Sequence, residues 1–150
     1  MVKGLIAVPQ GEAYRIDSPP WNAMVRPRLA RELARVLERF AREAGFTPAR
    51  PVEVHFEPGV VGHHKEGRAA DIYQVQRIRL DEWKRRWDAD PAPHNLGWRL
   101  YKALQRYGRW AQPDGHPVQL FGPWTRSEGP WRPISDRLLH AHRDHIHVAL

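Results

Sequence analysis

Between Ala23 and Ala44 the apolar residues recur at three- and four-residue spacing. Leu29, Leu33, Val36, Leu37, Phe40 and Ala44 fall on one stripe, and Arg and Glu fill the opposite side. The spacing predicts an amphipathic helix, with Pro27 in its first turn and Gly45 just past its end. Glu38 and Arg42 stand at a favourable i,i+4 spacing on the polar side. A second stripe of Leu96, Leu100, Ala103, Leu104 and Tyr107 predicts a helix from Asn95 to Trp110, ended by Gln112-Pro113-Asp114-Gly115. Between the stripes the period falls to two. Pro51-Val52-Glu53-Val54-His55-Phe56 alternates and predicts a strand, and Ala69 to Val75 predicts another. Leu5 to Val8, Val118 to Phe121 and His145 to Leu150 predict further short strands. Asp81-Glu82-Trp83 opens a short helix that ends near Trp87. Asp17 to Asn22, Asp90 to Pro93 and Gly122 to Pro133 are loops by their Pro, Gly and Asp content.

Helices mixed with short strands, without a regular βαβ rhythm, predict an α+β fold. No repeat or linker divides the chain, so residues 1–150 are read as a single domain. At this length a domain hides roughly 70% of its unfolded surface, and an apolar fraction of 41% is that of a globular chain. There is no Cys, which excludes disulfides and any thiolate zinc site. Trp98 and Trp110, on or at the end of a helix, are expected in the core.

The net charge is +7, which favours polyanions by long-range attraction but does not choose among nucleic acid, anionic lipid and cell wall. The Arg residues of the first helix (Arg26, Arg28, Arg31, Arg35, Arg39, Arg42) alternate with Glu32, Glu38 and Glu43, as on a solvated face, and no groove-reading motif is present. No specific nucleic-acid partner is expected. No apolar run approaches the ~20 residues of a membrane span. The stretch Met1 to Pro9 is too short for a signal-peptide core.

Two short stretches carry the chemistry. In the first, six residues separate His64 from Asp71, with Gly67 among them. A chain reversal at Gly67 would bring the two end residues together across adjacent strands, and glycine suits such a reversal. The plainer reading is a surface turn with both side chains in solvent. In the second, His145-Ile146-His147-Val148 alternates, so on a strand His145 and His147 share one face and Ile146 and Val148 the other. Two imidazoles on one face fit a metal, or a metal ligand beside a catalytic base. Asp144 would orient an imidazole or serve as a second choice of base. His142 must be brought in by a bend. The plainer reading is a His-rich tail with no specific ligand. A metal held by three such ligands keeps a fourth position open, as catalytic zinc sites do.

Taken together, the motifs resemble the zinc D-Ala-D-Ala carboxypeptidases and murein endopeptidases, in the group that includes lysostaphin-type enzymes and the hedgehog signalling domain. Gly62-His63-His64-Lys65-Glu66-Gly67-Arg68-Ala69-Ala70-Asp71 looks like the family's Ser-x-His-x-x-Gly-x-Ala-x-Asp, and His142, His145 and His147 look like its closing His-x-x-His-x-His. The resemblance covers roughly Val52 to Leu150. It implies a small antiparallel sheet that carries the zinc site, with helices packed against it. It implies that His64, Asp71 and His147 ligate Zn²⁺, that His145 is the general base or acid, and that His142 assists it. It implies a zinc metallopeptidase that hydrolyses a peptidoglycan stem or crossbridge peptide, as an endolysin or D,D-carboxypeptidase does, and acts on the wall as a monomer. The expected contexts are cytoplasmic accumulation with phage-type release, or a mature secreted form. Two positions depart from the family. Gly62 stands where Ser is usual, and the upstream strand holds no Arg. Arg50 and Arg68 are the candidate replacements for substrate binding, with His55 a third, and Trp124 and Trp131 in the loop are candidate groove residues. The alternative is a non-catalytic metal-binding module that binds the cell wall.

Overall fold

The computed structural model describes residues 4–59, 62–108, 119–125 and 136–150. The first apolar stripe forms helix α1, Pro27–Glu43, and buries Leu29, Leu33, Val36, Leu37 and Phe40. Proline sets its start. Arg26 is extended at φ −60°, ψ 146°, because a residue before proline is pushed out of the helical region. Residues 23–26, expected inside this helix, therefore lie outside it, and Met24–Val25 form strand β3 against β1, Ile6–Ala7. At the other end Gly45 takes φ +90°. Phe46 N–H donates to the Ala41 carbonyl at 2.9 Å and Gly45 N–H to the Arg42 carbonyl at 3.0 Å. This paired arrangement satisfies carbonyls that a helix end leaves open.

The main sheet contains β2 (Tyr14–Ile16), β4 (Val52–Glu57), β5 (Ala69–Val75), β6 (Ile78–Arg79), β7 (Gln119–Phe121) and β8 (Ile146–Ala149). Its order is β2-β4-β5-β8-β7, with β6 paired to one end of β5. The expected strands at Val52 and Ala69 are present, and the C-terminal strand agrees to within a residue at each end. The expectation of an antiparallel sheet needs correction: β2 runs parallel to β4, so the α+β fold carries a mixed sheet. A parallel step needs a long crossover, which α1 supplies. Three residues are too few to reveal β2 by their period.

Helix α2 spans Leu80–Ala89, α3 spans Leu96–Tyr107 and α4 spans Asp136–Ala141. Asn95 caps α3 by accepting from Trp98 N–H at 3.0 Å, while its own amide donates to the Trp83 carbonyl at 2.9 Å. Trp98 does not enter the core: it is half-buried and stacks on Trp87 with centroids 4.6 Å apart. Trp110, Trp131 and Val118 lie outside the described residues.

The sheet has two distinct faces. Val54, Phe56, Ile72, Leu120, Ile146 and Val148 join Leu29, Leu33, Leu37, Leu100 and Leu104 in one apolar cluster. Full burial of each such side chain contributes roughly 1.5–3 kcal/mol. The alternating positions Asp71, His147 and Phe121 turn to the other face. Along β4 and β5 the register steps from His55↔Gln74 to Phe56↔Ile72, so Tyr73 is an extra residue in β5. Such a bulge re-aims side chains near it. No described helix is long and apolar enough to cross a membrane.

Candidate metal centre

Register builds the site. Asp71 on β5 pairs with His147 on β8, and His147 pairs in turn with Phe121 on β7. Direct partners in an antiparallel ladder share a face, so carboxylate and imidazole meet. Asp71 Oδ1 lies 2.8 Å from His147 Nδ1. Both residues are buried, each only 7% exposed.

The third member arrives by a turn. His64 lies in the short 3₁₀ helix Gly62–Glu66, not on a strand as its spacing suggested. Gly67 ends that helix at φ +68°, with its N–H donating to the His64 carbonyl at 3.1 Å. Leu5 packs where a Cβ on Gly67 would fall. The chain thus reverses at Gly67 as expected, and His64 Nε2 comes to 3.2 Å from Asp71 Oδ2. One ligand atom each from His64, Asp71 and His147 lie within 4.8 Å of one another, so these three residues can hold a metal ion. Two imidazole nitrogens and a carboxylate oxygen are a donor set that zinc accepts, as do other divalent ions.

His145 and His142 complete a cluster around the three. The His142 ring centroid is 5.0 Å from that of His145 and 5.1 Å from that of His147. His145 Nδ1 is 2.7 Å from Asp144 Oδ1, and its Nε2 is 3.9 Å from Asp71 Oδ1. Asp144 therefore sits on the imidazole of His145, the orienting role foreseen for it. His142 Nδ1–H donates to the Leu138 carbonyl at 2.7 Å, a contact that α4 creates. Tyr73, which sequence reasoning did not single out, stacks on His145 with centroids 4.6 Å apart. It stands two residues beyond Asp71 on the same strand, and that spacing was the available signal. Phe121 closes the other side, its ring 5.9 Å from His147. Gln119 Oε1 lies 3.1 Å from His147 Nε2, and no motif marked it.

The electrostatics follow from this packing. Burial alone would raise the Asp71 carboxyl. The hydrogen bonds and charges of His147 and His64 outweigh it and hold the group well below the usual carboxylate range. Burial lowers the His142 imidazole despite its bond to Leu138, and the nearby His147 and His145 rings add to the lowering. Burial, with the Asp71, Asp144 and Glu57 charges, pushes the Tyr73 phenol up to about 12, so it stays protonated near neutrality.

The residues expected to contact substrate lie elsewhere. Arg50 is exposed and pairs with Thr47 ahead of β4, whereas Glu57 at the far end of that strand is the residue opposite Asp71. Arg68 donates through Nε to the Leu150 carbonyl at 2.9 Å and through its guanidinium to Glu66 at 3.1 Å. Trp124 packs against the core beside Tyr101 and Gly97. His55 is held between Asp17 and Glu57 at 3.1 and 2.8 Å. No hydrogen bond or ion pair joins any of these four to His64, Asp71 or His147.

A scan against protein-family models gives no match to the chain, and a search of curated proteins gives none either.

Proposed function

We propose that this protein is a zinc peptidase acting on peptidoglycan stem or crossbridge peptides, with a hedgehog/DD-peptidase-like fold. One observation carries the reading: a two-imidazole, one-carboxylate set, its Asp71 and His147 buried, stands beside an imidazole, His145, that a second carboxylate contacts. A purely structural metal needs no such neighbour. The resemblance of the two motifs to the peptidase family supports the substrate class.

Zinc held by His64, Asp71 and His147 would supply Lewis acidity and bring the pKa of a bound water toward ~7. The remaining work falls to the chain's own side chains. With Nδ1–H directed to Asp144, His145 presents an unprotonated Nε2 toward Asp71. That atom takes a proton from the attacking water and later returns one to the leaving amine. His142, kept neutral by burial and tied through Nδ1 to Leu138, crowds the same side and positions the His145 ring. The Tyr73 stack restrains that ring from its other face. Water exclusion comes from Phe121 and from the strand pairing beneath the site.

The placement of Arg50, Arg68 and Trp124 favours a second reading, a metal-binding wall module without turnover. Mass spectrometry of purified peptidoglycan incubated with zinc-loaded protein separates the two. New stem fragments that vanish with chelator and in His145→Ala establish the peptidase and identify the bond. An unchanged wall, from protein shown to hold one zinc, selects the module.

A further inference from the structure

His142, His145 and His147 each have one ring nitrogen on an oxygen outside the cluster. For His142 the acceptor is the Leu138 carbonyl, for His145 the Asp144 carboxylate, and for His147 the Gln119 carboxamide. The first two belong to the neighbourhood of the motif. Gln119 does not: it lies 28 residues away in sequence from His147, on the edge strand β7.

We infer that Gln119 is a positioning residue for the metal centre: its side-chain oxygen accepts Nε2–H of His147 and so reserves Nδ1 as the ligand atom. The inference rests on the metal site proposed above, and not on the peptidase reading. A neutral imidazole has one N–H and one lone pair, and the partner of one nitrogen decides which role the other takes. His147 offers Nδ1 to the side where Asp71 Oδ1 stands at 2.8 Å. An acceptor at 3.1 Å from Nε2 holds the proton there and leaves the Nδ1 lone pair for a cation shared with Asp71 and His64. It also fixes the ring's rotation, since the plane must satisfy both nitrogens at once. Register makes this possible. Phe121 faces His147 across β7 and β8 while Gln119 faces Ala149. Ala149 has only a methyl group, which leaves room for the glutamine to lean along the strand to Nε2. A larger residue at 149 would compete for that space.

Acceptors of this kind raise ligand basicity, and their loss typically costs 10–100-fold in metal affinity. The test uses the full chain and zinc alone. Zinc affinity is measured by competition with a chromophoric chelator for wild type, Gln119→Leu and Gln119→Glu, with thermal unfolding of each metal-free variant as the folding check. Gln119→Leu is expected to weaken zinc at least tenfold, and Gln119→Glu, which keeps an acceptor, to match wild type or exceed it. Nitrogen-15 spectra of the zinc-loaded wild type should show His147 coordinated through Nδ1, with a solvent-protected Nε2–H. That protection should disappear in Gln119→Leu and return in Gln119→Glu. Affinity of Gln119→Leu within twofold of wild type overturns the inference alone, as does coordination through Nε2. Should Gln119→Leu fail to fold, a loss of affinity in Gln119→Glu overturns it equally. A wild-type protein that takes up no zinc overturns both the inference and the metal site.

Discussion

Asp71 and His147 are 76 positions apart in the chain, yet they are direct partners across β5 and β8, with Oδ1 2.8 Å from Nδ1. The pairing places two of the site's buried polar side chains on the ladder itself. Backbone hydrogen bonds on both strands fix their separation, so the geometry does not depend on a loop. Only His64 is delivered by a turn, and Gly67 sets that turn.

The carboxylate is the member whose loss should matter most. Asp71→Asn keeps the shape but removes the charge that both imidazoles engage. Zinc affinity is expected to fall on the order of 100-fold or more, beyond the usual cost of losing an outer partner. Titration of the metal-free variant followed by calorimetry reads this directly. Affinity close to wild type would show that Asp71 is not a ligand.

Gly59 should prove as necessary as a ligand, although it contributes no donor. A Cβ placed there would lie 2.3 Å from His64 Cγ, closer than atoms can approach, so Gly59→Ala must push the ring away. Zinc affinity is expected to drop roughly tenfold or more, in the range seen when a ligand loses its support. Gly45→Ala is the control. It also substitutes a glycine, at φ +90° with open space around it, and should cost about 1–2 kcal/mol of stability through backbone strain while leaving zinc affinity unchanged. Equal zinc binding in both variants would remove the steric argument.

Much of this was legible in the sequence, and the gaps have physical causes. The helical stripes and the strands around Val54 and Ile72 showed because each repeats its period several times. The set of His64, Asp71 and His147, which could hold a metal ion, was legible through the resemblance of the two motifs, and the alternation of His145-Ile146-His147-Val148 put His147 on one face of a strand. Strand β2 was not, since Tyr14–Ile16 completes barely one period. The helix boundary at Ala23 was misplaced because Ala23 and Val25 are buried for a different reason, the first ending a 3₁₀ turn and the second pairing with Ile6. Gln119 and Gly59 matter only through contacts that folding creates. Arg50 was a candidate by nearness in sequence to β4, and the strand's direction carries it to the end away from Asp71.

Acid should destabilise the protein through Glu38. Burial would raise its carboxyl, but the backbone N–H groups of Glu12 and Ala13, together with Arg42, outweigh that and lower it. A carboxyl depressed in the folded state contributes stability above its unfolded value, about 4.3, and that contribution is lost as pH falls through the folded value. Urea unfolding at pH 7 and pH 3 should therefore show a loss in wild type that Glu38→Gln shows to a smaller extent. Identical pH dependence in the two proteins would rule out this anchor between α1 and the segment before β2.

The proposed division of labour between ligand and base predicts that two kinds of loss separate cleanly. His145 Nε2 is 3.9 Å from Asp71 Oδ1, while its Nδ1 is engaged by Asp144 at 2.7 Å, so it stands beside the three-residue set without belonging to it. His145→Ala should leave zinc affinity within about twofold, yet lower kcat on wall peptides by ~10²–10⁴, the usual contribution of a positioned acid or base. Asp144→Asn keeps a hydrogen-bond partner on Nδ1 but exchanges the carboxylate for an amide, so a smaller loss, roughly tenfold, is expected. Its effect should nearly vanish in the His145→Ala background, because Asp144 acts through that ring alone. Paired zinc titrations and turnover measurements on the four proteins of this cycle decide the matter. If His145→Ala lost zinc as Asp71→Asn does, His145 would be a fourth ligand. The centre would then be closed, as structural zinc sites are, and the non-catalytic wall module would become the better reading.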